Sequence, residues 1–193
     1  MVRVRFAPSP TGPIHIGGVR TALYNYLFKL NKKGSFILRI EDTDGLRKVD
    51  GAESYIYDVF DYYKIKVDEG PREGGSFGPY RQSERKEIYK KYITLLIKKG
   101  FAYYCYASKK DLLRARKNKD FSYNASTRLM FKNSLSLEED KSQALMKKGG
   151  YVVRLKVKAN VSLDVTDLLR GHITFNSNNL DDKILMKADG LPT

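Results

Sequence analysis

The sequence predicts an α/β protein whose first part is a parallel βαβ unit, and three observations carry that expectation. Val2, Val4 and Phe6 alternate with Arg3 and Arg5, the period of a half-buried strand. Ala22, Leu23, Tyr26, Leu27 and Leu30 recur at helical spacing within about 17–33. Gly34 then reads as a helix stop before a second apolar strand over about 36–40. Strand, helix and strand in that order give parallel strands joined by a right-handed crossover. Ligands of such units gather at the carboxyl ends of the strands.

The remaining elements follow in order. A helix from about Ala52 to Tyr63 carries Ile56, Val59, Phe60 and Tyr63 on one side, and the stretch Gly70 to Pro79 reads as a loop. A domain boundary is expected near Tyr80. A basic helix over about 83–99 then leads through Gly100 to the aromatic strand Phe101–Tyr106, with another helix near 108–117. Residues 119–150 are polar and carry few clear signals. Strands are expected at Tyr151–Val157, around His172–Phe175 and at Lys183–Lys187, the last returning the chain to the first sheet. The divisions are therefore 1–80, 81–180 and 181–193, with no internal repeat.

Composition narrows the class. An apolar content of 41% and 14 tyrosines argue against disorder in a chain of 193 residues, which is long enough to bury a core. No run approaches the roughly eighteen consecutive apolar residues of a membrane span, and the basic start leads into a strand rather than a signal-peptide core. A cytoplasmic protein is the default expectation. Cys105 is the single cysteine, so an internal disulfide is excluded, and no cluster of thiols and imidazoles suggests a structural zinc. The net charge is +14, and 83–119 holds twelve Lys or Arg against three Asp or Glu. That density suits phosphate neutralisation and equally suits a solvated helix face.

Chemistry is expected at the first strand-to-helix turn, Phe6-Ala7-Pro8-Ser9-Pro10-Thr11-Gly12-Pro13-Ile14-His15-Ile16-Gly17-Gly18. A helix N-terminus offers unpaired N–H groups and partial positive charge, and Gly17 and Gly18 would admit a ligand close to the backbone. Gly12-x-x-x-x-Gly17 is followed by Gly18-Val19, so a P-loop is excluded, and no G-x-G-x-x-G fingerprint is present. Phosphate contact would then involve His15. Taken alone, a loop histidine is more often structural or solvent-facing than a ligand contact.

The whole segment resembles the HIGH motif of class I aminoacyl-tRNA synthetases, in the form found in the glutamyl-tRNA synthetases. Three further blocks agree: Phe36-Ile37-Leu38-Arg39-Ile40-Glu41-Asp42-Thr43-Asp44, Gly78-Pro79-Tyr80-Arg81-Gln82-Ser83-Glu84-Arg85, and Asp189-Gly190-Leu191-Pro192-Thr193. The resemblance implies the Rossmann-like parallel sheet of a class I synthetase, incomplete here, with an inserted mixed α/β domain that binds the tRNA acceptor stem.

Arg5 ends the first strand and Glu41 the second. On neighbouring strands about 4.8 Å apart both could reach one crevice, where a guanidinium suits a carboxylate and a carboxylate accepts from an ammonium. Taken as an arbitrary Arg and Glu, the two would simply pair with each other or face water.

The resemblance implies that Arg5 holds the side-chain carboxylate of glutamate, that Ser9 and the Ala7 backbone contact the amino acid, and that Glu41 takes its ammonium. It implies ATP at Pro10, Thr11, Gly12, His15, Gly17 and Gly18, with His15, Gly17 and Gly18 as the catalytic set, His15 the candidate donor and Mg²⁺ bridging the phosphates. Asp44 and Arg47 match positions used near the RNA acceptor end, although Gly45 stands where a basic residue is often seen; Asp42, Asp44 and Arg47 also read as turn caps and surface. Tyr80, Arg81 and Gln82 either touch RNA or hinge the domains. Glutaminyl-tRNA synthetases characteristically carry Pro-Glu-Pro-Asn-Gly where this chain has Pro8-Ser9-Pro10-Thr11-Gly12, which favours glutamate.

Some relatives hold zinc through Cys-x-Cys; Cys105-Tyr106-Ala107 lacks the second thiol, so no structural zinc is expected. The KMSKS-like loop is absent, and Ser108-Lys109-Lys110 lies inside the insertion. The expectation is an N-terminal part of a larger enzyme, unable alone to charge tRNA, and acting as a monomer with L-glutamate, ATP and tRNA(Glu) as partners. The alternatives are a glutamyl-Q-tRNA(Asp) synthetase and a non-catalytic tRNA-binding module.

Overall fold

The computed structural model describes residues 1–45, 47 and 49–193. The chain forms two compact units, Met1–Lys86 and Glu87–Thr193.

In the first unit β1 (Arg3–Phe6) and β2 (Ser35–Leu38) pair in parallel through α1 (Ile16–Asn31), with Arg5 opposite Ile37 and Phe6 opposite Leu38. α2 (Ala52–Tyr62) follows. Alternation buries Phe36, Leu38 and Ile40 together with Phe6, Ala22 of α1 and Ile56, Tyr57 and Phe60 of α2. Both helices therefore cover one face of the strand pair. On the other side of β2 the chain returns twice: Leu38 N–H donates to the Glu69 carbonyl at 2.9 Å, and Ile40 N–H to the Tyr80 carbonyl at 2.9 Å. Ile40 and Arg81 form a parallel bridge.

Gly34 is needed for a different reason from the one expected. The positive φ after α1, 49°, falls on Lys33. A β-carbon on Gly34 would stand 2.3 Å from the Val2 carbonyl oxygen, so glycine is required where the crossover closes on β1.

The second unit is built on an antiparallel sheet in which β3 (Ala102–Cys105) and the last strand flank β4 (Val152–Leu155). α3 (Lys86–Lys98) supplies Ile93, which packs with Ala102 and Val153. Tyr103 and Cys105 point the other way and pack with Tyr123 and Phe131. Burial on both faces explains why this strand reads as an almost continuous aromatic run. Cys105 is buried with its sulfur 3.3 Å from the Tyr123 hydroxyl, a small apolar residue in an aromatic cluster. α4 (Lys109–Ala115) begins at a capping box between Ser108 and Asp111.

Several expectations are corrected here. The helix expected over 83–99 opens with a 3-10 turn, Gln82–Arg85, before α3. Residues 119–150 contain α5 (Glu139–Lys148). β5 (Ser162–Asp167) was not expected; it forms a hairpin with β6 (Gly171–Asn176), whose exposed surface leaves few buried side chains to mark it. β7 (Ile184–Met186), expected to rejoin the first sheet, pairs antiparallel with β4. Three apolar residues satisfy either edge, and Arg154 of β4 fixes the choice. Its guanidinium donates to the Asp182 carbonyl at 2.8 Å, two residues before the strand.

Candidate active site

His15 is the N-cap of α1, with extended backbone, and its Nδ1 accepts from the Gly17 N–H at 2.8 Å. An imidazole nitrogen that accepts carries no proton, so the neutral ring holds its proton on Nε2, which remains available as a donor. The His15 carbonyl accepts from Gly18 N–H at 2.8 Å and Val19 N–H at 3.2 Å. The first-turn amides of both glycines are thus engaged within the chain, which corrects the expectation that they stand open for phosphate.

Close packing also accounts for the glycines themselves. A β-carbon on Gly17 would lie 2.6 Å from His15 Cε1, and one on Gly18 would lie 2.9 Å from Ile14 Cγ1. Gly17 makes room for the imidazole, and Gly18 lets Ile14 pack beside the helix start. Gly12 adopts φ +138°, a conformation glycine alone takes readily, with open space where a side chain would stand. In the same loop Pro10 is buried and its carbonyl accepts from Val49 N–H at 3.0 Å, whereas Ser9 and Thr11 are exposed, with Thr11 N–H donating to the Ser9 carbonyl. Ala7 is half-buried.

Arg5 and Glu41 share a face. Arg5 is the partner of Ile37, and partners on neighbouring strands project to the same side. Alternating burial from Ser35 to Glu41 then puts Ile37, Arg39 and Glu41 on the side opposite Phe36, Leu38 and Ile40. Arg5 is exposed and, among the described residues, has no hydrogen-bond or ion-pair partner. Glu41, expected to end the second strand, lies three residues beyond β2, its N–H donating to the Pro8 carbonyl at 2.9 Å.

Glu41 does not pair with Arg5. Its Oε1 accepts from Arg39 Nε at 3.2 Å and Nη2 at 2.8 Å, and its Oε2 accepts from Gln82 Nε2 at 2.9 Å. Sequence reasoning passed over Arg39 and left Gln82 undecided. Arg39 was findable, being two residues before Glu41 and hence on the same face; Gln82 was not, because only the tertiary bridge at Ile40 brings it near.

Neighbouring groups fix the second segment. Asp42 accepts from the Ser83 N–H at 2.8 Å and hydroxyl at 2.6 Å, a turn-capping role for that aspartate. Arg81 forks onto Glu53 and reaches Glu84, and its hydrogen bonds to Glu53 raise its pKa. Tyr80 donates to Glu69 at 2.5 Å, and burial raises its pKa. Asp44 accepts from Arg47 Nε at 2.7 Å, with the Arg47 side chain 73% exposed. Among the described residues no three His, Cys, Asp or Glu side chains converge as a metal site.

An unpaired guanidinium and a braced carboxylate therefore share one face of the parallel strands, and the loop that leads to the His15 imidazole hydrogen-bonds to Glu41 through Pro8. A family profile described as tRNA synthetases class I (E and Q), catalytic domain, matches residues 1–193. The chain belongs to this family. Among other members, the glutamate–tRNA ligase of Parabacteroides distasonis is 54% identical over 195 residues, covering 100% of this chain and 39% of the ligase. That of Bacteroides fragilis is 53% identical with the same coverage. A crystal structure of a glutamate tRNA ligase from Elizabethkingia meningosepticum, in complex with its amino acid, matches with a TM-score of 0.92 and 46% identity over 100% of this chain and 39% of that one. The Elizabethkingia anophelis glutamate-tRNA synthetase gives 0.93 at 46% identity. This class I synthetase chain thus spans about 39% of the length of the curated relatives it matches. No helix among its described residues is long and apolar enough to cross a membrane.

Proposed function

We propose that this chain is the N-terminal catalytic part of a glutamate–tRNA ligase. In the first step the α-carboxylate oxygen of L-glutamate attacks the α-phosphorus of ATP, forming glutamyl-adenylate as the bond to the departing pyrophosphate breaks. The terminal ribose hydroxyl of tRNA(Glu) then attacks the acyl carbon, losing its proton and displacing AMP.

The observation that carries this reading is the common face of Arg5 and Glu41 beside the His15 loop. Unpaired and exposed, Arg5 supplies a fork for the side-chain carboxylate of glutamate; a neutral amide would forgo the charge-assisted pair. Glu41 accepts from the ammonium, and Ser9 with the Ala7 backbone borders the amino acid. Pro10, Thr11 and Gly12 contribute to the ATP site. Gly17 and Gly18 serve it indirectly, by letting the imidazole and Ile14 seat against α1. His15 Nε2–H donates to phosphoryl oxygens as charge builds there, a contribution worth about a hundredfold to a thousandfold for one preorganised donor. Mg²⁺ enters with the nucleotide as part of the substrate, held by phosphate oxygens and water. The basic stretch 83–119 would take the acceptor stem, with Asp44 and Arg47 near its end.

The test is ATP–pyrophosphate exchange by the intact synthetase, with and without tRNA, offering L-glutamate or L-glutamine. Glutamate-dependent exchange that Arg5→Ala weakens through the KM for glutamate is expected. Equal use of glutamine, or RNA binding with no exchange and no affinity for a glutamyl-adenylate analogue, would overturn the proposal.

A further inference from the structure

An ionised carboxylate has about four lone-pair sites. Three of those on Glu41 are filled in the free chain: two on Oε1 by the Arg39 fork, and one on Oε2 by Gln82. One acceptor site remains, on Oε2. The Glu41 side chain is 24% exposed, so the braced carboxyl group is not sealed in the interior.

We propose that Arg39 and Gln82 are positioning residues that hold the Glu41 carboxylate so that its one vacant acceptor site, on Oε2, meets the substrate ammonium. This rests on the reading of Glu41 as the ammonium site. Arg39, 21% exposed in its side chain, grips one oxygen through Nε and Nη2, which stops rotation about the carboxylate axis. Gln82 is 5% exposed and belongs to the segment bridged to Ile40, so its amide approaches from the far side of β2. Gripped on both oxygens, the carboxylate keeps one orientation. An ammonium then finds a single directed acceptor rather than a rotor, and less ordering is left for the moment of binding. Arg39 also keeps the local charge balanced, so that Glu41 does not repel the two carboxylates of glutamate as they approach.

The amino group is the only part of the substrate that such bracing should affect. The intact synthetase is therefore compared with Arg39→Lys, which keeps the charge and loses the fork, and with Gln82→Met, which keeps the bulk and loses the donor. Each is assayed by pyrophosphate exchange for the KM of L-glutamate, the KM of ATP and the inhibition constant of glutaric acid, the substrate without its amino group.

The expected result is a KM for glutamate raised about tenfold to a hundredfold, as for loss of a hydrogen bond to a charged group. The ATP KM and the glutarate inhibition constant should stay within about twofold. Equal losses for glutamate and glutarate, or unchanged values for both, would overturn the positioning role. The underlying reading fails separately, if Glu41→Gln leaves the wild-type preference for glutamate over glutarate intact. A variant that does not fold betrays itself by a lost ATP response, and the other variant then decides.

Discussion

Replacing Gly17 by alanine separates packing from chemistry at the helix start. The new methyl would lie 2.6 Å from His15 Cε1 and 3.0 Å from Nδ1, too close for the ring to stay. His15 is exposed, so the imidazole can swing outward, at the expense of the 2.8 Å bond from Gly17 N–H. Loss of a cap costs about 1 kcal/mol, whereas alanine in place of glycine in a helix returns up to about 1 kcal/mol. Stability should therefore change by less than about 1 kcal/mol. Activity should not be spared, because the displaced ring takes Nε2 with it. A loss of about a hundredfold in kcat is expected in pyrophosphate exchange by the intact enzyme, matching most of the loss in His15→Ala. Since both changes remove the same donor, the double variant should be hardly worse than either single one. Wild-type kcat in Gly17→Ala, or losses that multiply in the double variant, would refute the account of why glycine stands there.

Two further predictions concern stability. Asp182 is fully buried and accepts from Tyr103 at 2.7 Å, Arg128 at 3.0 Å and Val157 N–H at 3.0 Å, so Asp182→Ala strands a buried guanidinium. It should cost about 3–5 kcal/mol in urea unfolding, and a loss under about 1 kcal/mol would show the network to be dispensable. Burial raises the phenol pKa values of Tyr57, Tyr103 and Tyr123. The fold favours the neutral phenol, so this stability is complete below the ordinary tyrosine value near 10 and is lost as pH climbs above it towards the raised values. Absorbance at the phenolate band should show exposed tyrosines ionising first and the buried ones only with unfolding; one smooth titration of all of them in the folded chain would contradict this.

The elements that were legible in the sequence are those with local signatures. β1, α1 and β2 carry strong periodicity in adjacent segments, and parallel pairing follows from the connection between them. α5 could have been read as well: Glu139 and Asp140 stand in its first turn, Lys147 and Lys148 in its last, and Gly149 follows at positive φ. β5 shows Leu163 and Val165 alternating with polar residues, and each faces its apolar hairpin partner, Phe175 or Ile173. The place of β7 was not legible, because three apolar residues do not name their neighbour. That edge was settled by Arg154 bonding ahead of the strand, across 28 positions of sequence.

The amino-acid order by itself determined the strand-to-helix turn, the imidazole within it, and the alternation that sets Arg5 and Glu41 apart from the apolar positions beside them, because two-residue alternation is a local rule; the register that puts the two on a common side came with the pairing of Arg5 and Ile37. Only the tertiary structure decided what those groups touch. It turned His15 inward on Nδ1, spent the amides of Gly17 and Gly18 within the chain, and brought Gln82 across 41 positions to Glu41. The physical reason is that a hydrogen bond is fixed by distance and direction in space, and separation along the chain specifies neither until the segments between have packed.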